Sequence, residues 1–239
     1  VATADGKLRP ADLEPYLAWL GSEHHPQPAV VSVTQSTELG TLYSVDELGA
    51  ICEAAHAHGL RVHLDGARIA NAVAASGVDL AAMVRDTGVD VMTFGCTKNG
   101  AMFGEAVVYL RPGSADAARF IRKQAGQLVS KSRFVAAQVS ALLRDDLWLR
   151  NADHANQMAL ALGEAVAALP GVTVADPPAV NAVFAAVPAA AIEPLQAWSF
   201  FWDWDLASSL VRWMTSWATT RDDVDRFAAG VRAIVAEHA

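Results

Sequence analysis

The chain has 239 residues, of which 53% are hydrophobic and 18% charged, and it carries a net charge of -8 without any basic cluster. That length suits one large domain or a large and a small one, and the composition excludes a disordered polymer. The acidic balance argues against nucleic acid or an anionic membrane as a partner. In chain order, residues 13–20 read as a helix with Pro10 near its start, and residues 29–33 as a short buried strand. A well-marked helix follows at 44–58, where Ser44 suits the N-cap, Glu47 completes a capping box and Gly59 supplies the stop. Residues 60–65 form a predicted strand, a helix starts at Ala67, and a second short helix lies near Asp79. Strands are expected again at 89–95 and 105–110, the latter ended by Pro112 and Gly113. This alternation implies an α/β fold with a largely parallel sheet covered by helices on both faces.

From 114 to 169 the pattern changes to long helices rich in alanine and leucine. Beyond Pro170 and Gly171 come short strands at 172–175 and 182–187, a helix near Ile192, and candidate strands at 199–204 and 209–215. Thr220 then caps a last helix, with Asp222 and Asp223 suited to its first turn. We expect a large domain over residues 1–149 and a smaller α+β domain over 150–239. Two cysteines, Cys52 and Cys96, are too few for a disulfide framework and fit a reducing compartment. No apolar run approaches the roughly 20 residues of a membrane span, and no signal peptide is recognisable. A soluble cytoplasmic protein is expected.

Three short stretches carry chemistry. In His63-Leu64-Asp65-Gly66-Ala67-Arg68 a strand ends in an aspartate, a glycine and an arginine. In Thr93-Phe94-Gly95-Cys96-Thr97-Lys98-Asn99-Gly100 the next strand ends in a lysine among small residues. Arg212 lies inside the apolar run 211–217. Open α/β sheets bind ligands beyond the carboxyl ends of their strands, and Asp65 and Lys98 stand at two such ends, about one βαβ unit apart. A lysine can form an imine with the aldehyde of pyridoxal phosphate, and a carboxylate can keep its pyridine nitrogen protonated. Glycines beside the lysine would let a flat ring approach the backbone. Each residue alone has an ordinary explanation: an aspartate at a strand end caps helices, a loop lysine is solvated, and an arginine in a strand marks an edge or interface. Their joint placement is what points to the cofactor.

The same residues carry a family likeness. HLDGARIANAVAASGVDLAAM and FGCTKNGAMFGEAVVYL resemble the corresponding blocks of low-specificity L-threonine aldolases, as do QLVSKSRFVAAQ, PPAVNAVFAAVP and VRWMTSWATTRDDVDRF. The resemblance runs from DGKL at residue 5 to the last helix. It implies the aspartate-aminotransferase-like fold of pyridoxal-phosphate enzymes, with a large cofactor domain and a small C-terminal α+β domain. It also implies cleavage of L-threonine or L-allo-threonine to glycine and acetaldehyde. On this basis Lys98 is the imine-forming lysine and Asp65 the partner of the pyridine nitrogen. Arg68 would lie near the phenolic oxygen, favouring its anionic form, and is also a candidate for substrate binding. Arg212 would grip the substrate carboxylate. Arg133 is either the arginine that reaches the cofactor phosphate of a neighbouring subunit or a helix-surface arginine. Lys131 is a weaker candidate for the same task.

Other readings stay open at this stage. The family has a segment ahead of DGKL that carries the phosphate-binding loop and a histidine implicated at the β-hydroxyl, and neither maps onto this chain. The residues alone are therefore expected to form an N-terminally incomplete large domain, with an open cleft beside Lys98, and not a competent soluble enzyme. β-Elimination, racemisation or transamination on the same fold, or a non-catalytic scaffold, are the alternatives. A homodimer or homotetramer is the expected assembly. Cys96 reads as a packed small hydrophobe, and His63 as a hydrogen-bonded core histidine. His56 and His58 read as helix-end residues, and His24 and His25 as solvated. No metal site is expected, since no set of His, Cys and carboxylates has zinc spacing.

Overall fold

The computed structural model describes residues 1–238. The chain divides into two compact units, Val1–Leu149 and Arg150–Ala239. In the first, a 3₁₀ turn at Pro10–Leu13 runs into the single-turn helix α1, Glu14–Leu17. The apolar pattern at 13–20 is thus only partly helical, because Tyr16 and Leu20 lie exposed and little packing holds a longer helix together. Strand β1 (Val30–Thr34) leads to helix α2 (Val45–Ala57), whose capping box forms as expected: Ser44 Oγ accepts from Glu47 N at 3.1 Å, and Glu47 Oε2 accepts from Ser44 N at 2.8 Å. Such a cap contributes about 1 kcal/mol. Then follow β2 (Arg61–Gly66), α3 (Ile69–Ser76), a π-helical turn at Ala81–Arg85, β3 (Val91–Gly95) and β4 (Glu105–Tyr109).

The sheet order is β1-β2-β3-β4. β1, β2 and β3 run parallel, and β4 returns antiparallel to β3. Residues two apart share a face of a sheet, so the register sorts the side chains. Val31, Val33, Val62, Leu64, Met92 and Phe94 fill one face and are buried. The opposite face carries Ser32, His63 and Val91 in one row and Thr34, Asp65, Thr93 and Val107 in the next. This face departs from the expectation of helices on both sides: Val30 is 56% and Val107 53% exposed. The helices α2 and α3 follow β1 and β2, and right-handed crossovers place both on the same side. Asp65 lies on the open face.

Helices α4 (Ala118–Gln124) and α5 (Ser132–Leu143) complete the first unit, and α6 (Leu147–Ala167) starts at its end. The second unit has an antiparallel sheet, ordered β5-β6-β8-β7, from Thr173–Val174, Ala182–Ala186, Asp203–Asp205 (β7) and Leu210–Met214 (β8). Helices α7 (Ala189–Trp198) and α8 (Arg221–His238) flank it. Its core gathers Val183, Ala185, Val211 and Trp213 from the sheet with Leu162, Val166, Leu195, Val224 and Val231 from the helices. Among the described residues, no helix is long and apolar enough to cross a membrane.

One buried charge ties the first unit together. Asp90, with its side chain 3% exposed, accepts from His56 Nε2 at 2.8 Å, Val62 N at 2.7 Å and Arg111 Nη1 at 2.9 Å. Helix α2, strand β2 and the end of β4 thus converge on one carboxylate. For His56 this adds a partner that its place at a helix end did not reveal. Burial pushes the Asp90 carboxyl up, but the hydrogen bonds from His56, Val62 and Arg111 together hold it below the ordinary carboxylate value. A depressed pKa stabilises the fold at neutral pH, and that contribution falls away as acid protonates the group. Asp90→Asn is expected to cost about 1–3 kcal/mol at pH 7, since its arginine partner, Arg111, is half exposed. Urea titrations should show the gap to wild type closing between the ordinary carboxylate range, about pH 4, and the lower native value. A gap that stays constant down to acid unfolding would exclude this role.

Candidate active site

The ends of β2 and β3 are held by backbone packing that leaves no room for side chains. A Cβ on Gly66 would meet the Thr93 carbonyl oxygen at 2.4 Å, and one on Gly95 would meet the Ala67 carbonyl oxygen at 2.3 Å. The expected reason for Gly95, close approach of a ligand, is thus replaced by close approach of the chain itself. Two neighbouring parallel strands are drawn together at their carboxyl ends, where Asp65 and Lys98 stand.

Asp65 is half-buried. Its Oδ1 accepts from Ala67 N at 2.9 Å and from Thr93 Oγ1 at 3.4 Å, while Thr93 Oγ1 also takes the Gly66 N–H at 3.3 Å. The first bond is the aspartate turn that starts the next helix, so the ordinary role of such a residue is present as well. It occupies one oxygen only. Oδ2 has no partner among the described residues and remains for a ligand. Arg68 ends this turn, its side chain 15% exposed, with Nη1 at 3.5 Å from Glu38 Oε1.

Lys98 sits in a 3₁₀ turn, Thr97–Asn99, that is fixed on both sides. Before it, both carboxylate oxygens of Glu105 accept backbone N–H groups, from Cys96 at 3.0 Å and Thr97 at 3.3 Å. Thr97 Oγ1 donates to the Gly104 carbonyl at 3.2 Å. After it, buried Asn99 donates from Nδ2 to the Trp148 carbonyl at 2.8 Å, and Gly100 takes φ +110°, which a side chain would disfavour. The lysine itself is exposed, and its amine meets no partner among the described residues. The turn is held by hydrogen bonds on both sides, and the amine is left available to a ligand. Sequence reading missed Glu105, and it gave no separate role to Thr93 and Asn99 within the stretch around Lys98. An acidic residue opening the apolar strand seven residues after the lysine was the available signal for the first.

Cys96, two residues before Lys98, is fully buried, and burial, with Glu105 next in weight, pushes its thiol up to about 11. It packs as a small hydrophobe and is not a nucleophile at neutral pH. His63 is half-buried on the open sheet face, two residues from Asp65, and its Nδ1 lies 2.9 Å from Ser32 Oγ. It is not a core histidine, because the second face of the sheet is uncovered. Among the described residues, Ser36 Oγ is buried with no partner, two residues beyond β1 and next to Gln35, whose N–H meets the Asp65 carbonyl at 3.0 Å. Arg133 and Lys131 lie exposed at the start of α5, Arg133 with its guanidinium 5.0 Å from the ring of Phe134. Neither is brought to Asp65 by a hydrogen bond or ion pair. Arg212 belongs to the second unit, on the outward face of β8, with its guanidinium 4.6 Å from the ring of Trp204. No group of three His, Cys, Asp or Glu residues is placed to hold a metal among the described residues.

Residues 1–190 match the family model described as beta-eliminating lyase. The low specificity L-threonine aldolase of Pseudomonas aeruginosa is 42% identical over 235 residues, 98% of this chain and 67% of that protein. A second protein of the same name, from another Pseudomonas, is 40% identical and matches 96% of this chain and 66% of its own length. Among solved structures, the threonine aldolase of Leishmania major superposes with a TM-score of 0.85 at 33% identity, over 98% of this chain and 69% of that one. The chain thus spans about two thirds of the length of these relatives.

Proposed function

Because this chain belongs to the beta-eliminating lyase family, and within it groups with the low-specificity L-threonine aldolases, we propose that it cleaves L-threonine and L-allo-threonine to glycine and acetaldehyde with pyridoxal phosphate. The observation that carries the reading is the pairing of a free amine, Lys98, with the open oxygen of Asp65 at the ends of adjacent parallel strands. The donor set fits the cofactor: an unpartnered lysine for its aldehyde, an available carboxylate for its ring nitrogen, and a half-buried arginine beside them. When bound, pyridoxal phosphate supplies a ring that accepts the electron pair of the broken Cα–Cβ bond.

The residues of the chain then divide the work. Lys98 would supply the amine that holds the cofactor's aldehyde. Asp65 would hold a proton on the ring nitrogen through Oδ2, since Oδ1 is taken by Ala67 N and Thr93. Arg68 would supply a cation for the phenolic oxygen and the substrate. Arg212 takes the substrate carboxylate with its two parallel N–H groups. Residues 1–149 serve as the cofactor domain and 150–239 as the small domain.

We also propose a homodimer or homotetramer in a reducing cytoplasm. Phe120, Ile121, Leu128, Val129 and Phe134 are exposed on and between α4 and α5, an apolar surface of the kind that oligomers cover. Arg133 lies within it, which supports a role at a neighbouring subunit's cofactor phosphate. Both cysteines are buried free thiols. The functional reading is tested by the products formed from L-threonine by the protein as the cell makes it. Glycine and acetaldehyde in equal amounts are expected. 2-Ketobutyrate with ammonia would assign an elimination on the same fold, and D-allo-threonine, the product of inversion at Cα alone, a racemisation.

A further inference from the structure

Arg212 does not lie on the sheet unsupported. Its direct partner across the β6–β8 ladder is Phe184. On its other side β7 pairs with β8 irregularly: Asp203 faces Val211 and Asp205 faces Leu210, so Trp204 falls in a bulge between them. Bulges re-aim side chains, and this one goes with an indole face 4.6 Å from the guanidinium carbon of Arg212. Phe184 meets the same indole edge-on, with ring centroids 5.3 Å apart and planes at 83°. Two neighbouring strands thus build an aromatic shelf under one arginine. A cation over an aromatic face gains energy from the contact, and a guanidinium held there loses rotational freedom.

We infer that Trp204, propped by Phe184, is a positioning residue for Arg212 and tunes the site for a free α-carboxylate. The inference rests on the proposed role of Arg212. A fixed fork of two parallel donors matches the two acceptors of a carboxylate, whereas a carboxamide offers one acceptor and one donor. Loosening the fork therefore weakens the acid and leaves the amide untouched.

Equilibrium dialysis of labelled glycine and glycinamide against the natural protein loaded with pyridoxal phosphate tests this. Wild type is expected to prefer glycine. Trp204→Leu should weaken glycine binding by about three- to tenfold, leave glycinamide binding and cofactor content unchanged, and be largely restored in Trp204→Phe. If Trp204→Leu does not fold, Phe184→Leu keeps the indole without its prop and should cost about twofold for glycine alone. Glycine binding unchanged in the variants, or a parallel loss for glycine and glycinamide, would overturn the inference. Arg212→Ala separates the two levels. If it leaves glycine binding intact, or if wild type shows no preference for glycine, the role of Arg212 fails and this inference falls with it. If only the Trp204 and Phe184 variants are silent, Arg212 keeps its role and the shelf does not.

Discussion

Lys98→Ala is expected to lower threonine cleavage by about three orders of magnitude or more and to abolish covalent retention of pyridoxal phosphate. The fold should survive, because Lys98 is exposed and the turn around it is held by Glu105, Thr97 and Asn99 without using its side chain. Thermal unfolding of the variant should therefore match wild type, as for an ordinary surface substitution. Lys98→Arg sharpens the result. It keeps a positive charge in place but offers no nucleophilic amine at neutral pH, so it should fall as far as alanine. Cleavage retained in Lys98→Arg would mean that the position contributes charge and not a covalent bond.

The second large effect separates Asp65 from Arg212. Asp65 has two jobs in this structure, since Oδ1 also accepts the Ala67 N–H that starts the turn into α3. Asparagine can keep that acceptor while losing the charge, and is the cleaner substitution. Asp65→Asn should reduce kcat for every β-hydroxy amino acid by about 10²–10³, because the ring loses its proton whatever the side chain, with KM little changed. Arg212→Ala should instead raise KM. Losing a charge-assisted bidentate contact costs about 2–4 kcal/mol, roughly a 30- to 800-fold rise, and cofactor content should stay near that of wild type. Equal loss of cofactor from both variants would contradict the division of roles.

How far the sequence alone carried this reading depends on the kind of signal. The helix at Val45–Ala57 was legible to within a residue because Ser44, Glu47 and Gly59 act locally, through bonds that span three or four residues. The parallel strands were legible from short apolar runs, and with them the placement of Asp65 and Lys98 at strand ends. What escaped depended on distance along the chain. Asp90 collects partners 28 and 34 residues before it and 21 after it, and nothing near it in sequence marks it as a hub. Glu105 and Asn99 hold the Lys98 turn through contacts whose value appears only once β4 and α6 are in place. Gly95 looked like a seat for a flat ring, and the backbone of Ala67 occupies that space. Trp204 was read as the end of a strand, but the register shift in β7 that sets its ring against Arg212 has no signature in the residues Asp203-Trp204-Asp205.

The central claim, that this chain holds its cofactor through Lys98, is tested most directly by reduction and peptide mapping. The natural protein, loaded with pyridoxal phosphate, is treated with borohydride, digested, and its peptides are weighed. A reduced pyridoxyl group on the peptide containing Thr97-Lys98-Asn99, and on no other, is the expected result. An adduct on Lys7, Lys123 or Lys131, or an unmodified Lys98 peptide from protein that contains cofactor, would contradict it.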